Sequence, residues 1–148
     1  MQIELVTGSR QPYHQLLLLG DEDPLMLARY EAQGQLFAGW QGKAPVAVAL
    51  VVTQGSTCEL KNLAVAEPWQ HQGLGFAMVN HVLTYYRGAY ARLVVGTGDA
   101  DFANLRFYRR LGFRFCGVRR DFFDAYRPPV VSDGLTMHDM VMLDHSLG

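Results

Sequence analysis

The chain has little cysteine, no long apolar run and no excess of charge of either sign, and each shortage removes a class of protein. Two cysteines, Cys58 and Cys116, are too few for a disulfide scaffold in 148 residues and read as thiols of a reducing compartment. Neither has a partner at metal-ligand spacing, and His14, His71, His81, His138 and His145 form no close pair, so no metal is expected. The longest apolar stretch, Ala44 to Val52, falls far short of the roughly 20 residues of a membrane-spanning helix. A net charge of −1 supplies no basic field for a nucleic-acid backbone. The opening MQIELVTGSR lacks the basic leader and apolar segment of a secretory signal. A cytoplasmic protein with no membrane or nucleic-acid partner is therefore expected, as a monomer or homodimer.

What is present is ordinary for a folded chain: 49% hydrophobic and 18% charged residues. No repeat, low-complexity tract or linker divides it, so residues 1–148 read as one domain. Gln2 to Val6 reads as a strand, and Pro12 to Leu19 and Pro24 to Gln33 as helices, the latter with Asp23 as N-cap. Gln35 to Trp40 and Pro45 to Thr53 form a hairpin that Gly55-Ser56 extends into Cys58 to Val65. At Gly73 the period changes: Leu74, Ala77, Met78, His81, Val82 and Tyr85 make the stripe of an amphipathic helix ending near Gly88. Arg92 to Val95 is a strand, Asp99 or Asp101 caps a helix to Leu111, and Phe113 to Asp121 and Leu135 to Asp144 are two more strands. The order β-α-α-β-β-β-α-β-α-β-β describes a mixed α/β (α+β) sheet with helices on both faces.

Two segments carry chemistry. Gln70-His71-Gln72-Gly73-Leu74-Gly75 follows an apolar strand and opens a helix, where unpaired N–H groups and a partial positive charge attract phosphate. Glycines at 73 and 75 would let a diphosphate approach the backbone. The spacing matches neither GxxxxGK[ST] nor GxGxxG, and the same residues also suit a ligand-free strand-to-helix turn. The second segment, NLRFYRRLGF from Asn104 to Phe113, puts Asn104 and Tyr108 one helical turn apart on one face. A phenol with a reference pKa of about 10 keeps its proton at neutral pH and can give it to a departing thiolate, whose thiol pKa is about 8.5. Alternatively Tyr108 is packing within an apolar helix. The arginines at 106, 109, 110, 114, 119 and 120 are either a solvated face or a contact for a small anion.

Together these segments, with ExxxxAV at Glu59 to Val65 and then Glu67-Pro68, resemble the acyl-coenzyme A site of the GNAT acetyltransferase superfamily. The likeness covers roughly Cys58 to Phe115. It implies a GNAT-like fold, with a mostly antiparallel sheet and one parallel βαβ crossover, and acetyl-CoA as donor. It further implies that Leu63, Ala64 and Val65 bind the pantetheine arm, that Gln70, His71, Gln72, Gly73, Leu74, Gly75 and Phe76 hold the pyrophosphate, and that Asn104 assists. Tyr108 would be the general acid. Glu59 would be the base, because an alkylamine of pKa about 10.4 is only roughly one part in two thousand neutral at pH 7.

The expected reaction is direct acetyl transfer in a ternary complex to the primary amine of a small molecule, with a cationic one among the candidates. Residues Arg119 to Phe123 and His138 to Met140 also resemble enzymes acetylating protein N-terminal amines, but Val95 to Asp99 departs from their pattern. A protein α-amine acceptor, a non-catalytic acyl-CoA sensor and a module for another nucleotide are the alternatives. Asp121, Asp124, Asp133 and Asp139, with Trp40 or Trp69, are expected around the acceptor. Cys58 is the weaker candidate for an acyl-cysteine route.

Overall fold

The computed structural model describes residues 1–148. It opens with β1 (Gln2–Leu5), a 3-10 turn (Gln11–Tyr13), α1 (His14–Gly20) and α2 (Pro24–Ala28). Asp23 caps α2 as its sequence suggests, its Oδ1 accepting from the N–H groups of Leu25 at 2.9 Å and Met26 at 3.3 Å. The helix stops short of the expected Gln33. The Arg10 guanidinium claims the carbonyls of Glu31, Gln33 and Gly34, which a continuing helix would need for itself.

Next come β2 (Gln35–Gln41), β3 (Ala44–Gln54), β4 (Thr57–Val65), α3 (Leu74–Tyr86), β5 (Arg92–Gly98), α4 (Phe102–Arg110) and β6 (Arg114–Arg119). Asp101 caps α4, accepting from the N–H of Asn104 at 3.1 Å. The stretch from Leu135 to Asp144 is not one strand. Asp133 and Gly134, at φ 52° and 73°, turn β7 (Val131–Ser132) onto β8 (Leu135–Thr136) as a separate hairpin. The chain rejoins the main sheet only at β9 (Met140–Ser146), because the His138 N–H is diverted to the Asp99 carboxylate at 3.1 Å.

Seven strands form the main sheet in the order β1-β2-β3-β4-β5-β9-β6, and β4–β5 is its parallel pair. One face packs Met78, Val79, Val82, Leu83 and Tyr86 of α3 and Tyr108 of α4 against Ala47, Ala49 and Val51. The buried stripe of α3 is thus rotated from the expected one, with Tyr85 46% exposed. The opposite face packs Tyr13, Leu17, Leu27 and Tyr30 against Val48 and Leu50. No helix is long and apolar enough to cross a membrane.

Strand β4 changes sides within its own length. Against β3, Leu60 pairs with Val51 and Asn62 with Leu50, so Lys61 is an extra, bulged residue. Cys58 and Leu60 therefore face α3, whereas beyond the bulge Asn62 and Ala64 face α1. Asn62 is 3% exposed and donates from Nδ2 to the Leu17 carbonyl at 2.8 Å and the Tyr30 hydroxyl at 3.1 Å. Replacing it with alanine should lower unfolding free energy by about 1–3 kcal/mol, as a lost buried hydrogen-bonding group does. Chemical denaturation monitored by far-ultraviolet circular dichroism would measure the loss.

Candidate active site

Beyond the bulge the sheet forks. β4 and β5 pair from Thr57–Arg92 to Leu60–Val95, yet β4 continues to Val65 and β5 to Gly98 without pairing each other. The Ala66 N–H bonds to the Val46 carbonyl at 2.7 Å, so alternation gives the backbone of Ala64 to β3 as well. The same alternation turns the N–H and C=O groups of Leu63 and Val65 toward the open edge. Of the three residues expected to offer backbone there, Leu63 and Val65 do and Ala64 does not.

The glycine turn closes the outer end of this edge. Gln70 reaches back, its Nε2 donating to the Val65 carbonyl at 2.9 Å, and Gln72 Nε2 donates to the Pro68 carbonyl at 3.3 Å. His71 and Gly73 both take positive φ, 61° and 83°. A Cβ on Gly73 would meet nothing within 4 Å, so the backbone there is open. No side chain caps α3, and the N–H groups of Leu74, Gly75 and Phe76 are left without protein partners. Gly75 has a different reason to be glycine. A Cβ there would come within 3.3 Å of the Phe107 ring, so it lets α3 approach α4 rather than clearing room for an anion. Phe76 packs edge-on against the same ring at 5.3 Å.

At the fork lies a cavity of about 420 Å³. Glu59, Lys61 and Leu63 of β4 face Gly96, Thr97 and Gly98 of β5, with Asn104 of α4 and its cap Asp101 beside them. Glu59 is held by Arg119 of β6, two contacts of 3.4 Å, and lies 3.8 Å from Lys61. Asn104 uses its amide N–H on Asp101 Oδ2 at 2.8 Å, leaving Oδ1 as its available acceptor. Residues 70–76, Ala64, Val65 and Tyr108 are not part of this cavity wall.

Tyr108 is 5% exposed and lies between Phe107 and Phe113, with ring centroids at 4.9 and 5.4 Å. Tyr108 follows Asp101 by about two helical turns, near enough for its phenol to feel the Asp101 charge. Burial raises its pKa well above the ordinary phenol value, and the Asp101 charge adds to the rise. The phenol is thus kept protonated. Cys58 is buried, and desolvation pushes its thiol up to about 11, which removes the thiolate an acyl-cysteine route would use.

None of the four acids expected around an acceptor lines the cavity, and two of them are engaged elsewhere. Asp139 accepts from the Asp121 N–H at 2.8 Å and faces Arg120, and Asp124 pairs with His138 at 2.8 Å. Neither they nor Asp133 line the cavity, and Trp40 is turned edge-on to Tyr13 in the core while Trp69 lies outside the wall. The acids on the wall are instead Asp21, Glu22, Glu59 and Asp101, with Tyr30, Phe122, Phe123 and Tyr126 as its aromatics. The arginine cluster is also divided: Arg119 binds Glu59, while Arg109 bonds the Phe113 carbonyl at 3.0 Å and covers the Phe115 ring.

The chain is similar to several known proteins. A GNAT family acetyltransferase from Elizabethkingia anophelis, solved with acetyl-CoA bound, is 32% identical, with a TM-score of 0.92 over 99% of this chain and 97% of that one. A Bacillus subtilis acetyltransferase solved in complex with CoA is 28% identical, with a TM-score of 0.89 over 99% of each chain. The uncharacterized N-acetyltransferase YvbK of Bacillus subtilis is 30% identical over 146 residues, which is 97% of this chain and 94% of that protein. The sequence model of the acetyltransferase (GNAT) family matches residues 6–113. The chain belongs to the GNAT family and is an N-acetyltransferase.

Proposed function

We propose that the protein moves an acetyl group from acetyl-CoA directly to the primary amine of a small molecule, with both substrates bound together. The observation that carries this reading is the open backbone edge of Leu63 and Val65 running into the uncapped N-terminus of α3. Such an edge can take an extended amide-bearing arm as an added strand, and the free N–H groups beyond it can take a diphosphate. Gln70 holds the turn against β4, and Gly73 keeps its mouth open. Asn104 offers its Oδ1 alongside. Acetyl-CoA supplies the activated thioester. Free cysteines are consistent with a cytoplasmic setting.

Transfer forms a C–N bond and breaks a C–S bond, so one proton must leave the amine and one must reach the sulfur. Glu59 lies where the strands part and takes the amine proton by way of water. Tyr108, kept protonated by burial, gives its proton to the thiolate. A small amine is favoured over a protein tail because the cavity is walled by the α1–α2 link and by residues 122–137 as well as by the fork.

Tyr108→Phe should lower kcat on the order of a hundredfold while CoA affinity stays within about twofold. Stopped-flow thiol release and CoA calorimetry measure the two quantities, and an unchanged kcat would remove Tyr108 from its role. Glu59→Gln should lower kcat about tenfold or more near pH 7, with the deficit shrinking as pH approaches the amine pKa of about 10.4. A deficit independent of pH would assign Glu59 to structure alone.

A further inference from the structure

Asp21 lies on the cavity wall in the link between α1 and α2. Every group that holds its carboxylate is neutral. The Tyr30 hydroxyl donates to Oδ2 at 3.0 Å, the Tyr126 hydroxyl reaches the two oxygens at 3.3 and 3.4 Å, and the Asp23 N–H reaches Oδ1 at 3.4 Å. No basic nitrogen of the protein comes within 4.0 Å of it. Glu59, on the same wall, has both Arg119 and Lys61. One carboxylate is therefore neutralised by the protein and the other is not.

A desolvated carboxylate without a countercharge is costly, and hydrogen bonds from neutral donors reduce that cost without cancelling the charge. Burial accordingly raises the Asp21 carboxyl above the ordinary range, against the opposing hydrogen bonds from Tyr30, Asp23 and Tyr126. The Tyr30 phenol is itself held in place, its oxygen accepting from buried Asn62 at 3.1 Å. Counting Asp21, the wall carries four carboxylates and one ammonium, Lys61. Phe122, Phe123 and Tyr126 pack together on the wall, with centroids 5.0 to 6.1 Å apart, and offer aromatic surface to a cation. The opposite arm of the fork also carries an unpartnered polar group. Thr97, on the wall, is 3% exposed, and its hydroxyl has no partner in the protein.

We infer that the Asp21 carboxylate, held by Tyr30 and Tyr126, anchors a second, non-reacting ammonium of the acceptor, so that the preferred acceptor class is a compact diamine rather than a monoamine. The anchored nitrogen is not the reacting one. A carboxylate beside an amine favours its charged form, whereas attack on a thioester requires the neutral form. The inference rests on reading the cavity as the acceptor's place, and it assigns Asp21 a specificity role.

The test uses CoA-loaded protein titrated calorimetrically with linear diamines of three to eight carbons and with monoamines of matched length. The best diamine should bind on the order of ten- to a hundredfold more tightly than its monoamine, the worth of a charge-assisted hydrogen bond. Asp21→Asn should bring that ratio close to one. Tyr126→Phe, which keeps the carboxylate but removes a donor that positions it, should reduce the ratio severalfold. If Asp21→Asn loses its cooperative melt, the Tyr126→Phe ratio decides. A wild-type ratio near one, or a ratio that either folded variant leaves intact, overturns the inference. Thiol release in the presence of acetyl-CoA separates the two readings. Asp21-dependent diamine binding without thiol release would sustain the anchor and overturn acetyl transfer to these amines. Equal turnover of diamines and monoamines would sustain transfer and overturn the anchor.

Discussion

The parting of β4 from β5 past Leu60 and Val95 is the constraint on which the rest of the molecule depends. Two strands that separate inside a sheet expose backbone donors and acceptors that must be satisfied some other way. Each arm is braced from its outer side, β4 by β3 as far as Val65 and β5 by β9 as far as Gly98, so the fork stays open without either arm losing its ladder. The Gln70 side chain claims one of the exposed carbonyls and in doing so fixes the turn that leads into α3. What remains unclaimed is a short edge with an uncapped helix start at its end.

Much of the architecture could be read from residue order because it is local. Alternation and turn residues gave the β2–β3–β4 meander, Asp23 and Asp101 gave two helix caps, and the glycine turn stood out at a change of period. The misreadings have physical causes. The stripe of α3 was off by a position because Val79, Leu83 and Tyr86 also face the core, and neither Leu74 nor Tyr85 joins them in it. The terminal segment looked like one strand because the diversion of His138 to Asp99 spans 39 residues and leaves no local pattern.

The candidate site divides along the same line. Glu59, Leu63 and Asn104 fall on the cavity, and the glycine turn falls at the end of the open edge, as motif spacing suggests. The acids on the other side of the wall, Asp21 and Glu22, follow from no motif. Asp21 is joined to Tyr30 across 9 residues and to Tyr126 across 105, and no spacing rule connects those positions. One signal was available: Asn62, a polar residue in the midst of an apolar strand, marks a buried hydrogen-bonded group and thereby the tyrosine behind the cavity. Acids in the terminal loops were the natural sequence choice, but their neighbours His138, Arg120 and the Asp121 N–H already engage them.

The bulge at Lys61 has a consequence for how this strand can evolve. Burial along β4 alternates without interruption from Thr57 to Val65, as if one face were buried throughout. In fact the buried positions before Lys61 belong to one core and those after it to the other. A point substitution on either side answers to a single core and can be repaired there. Loss or gain of one residue near position 61 would exchange the two cores' claims on the strand all at once. In this strand, then, a change of length disturbs the packing more widely than a change of one side chain.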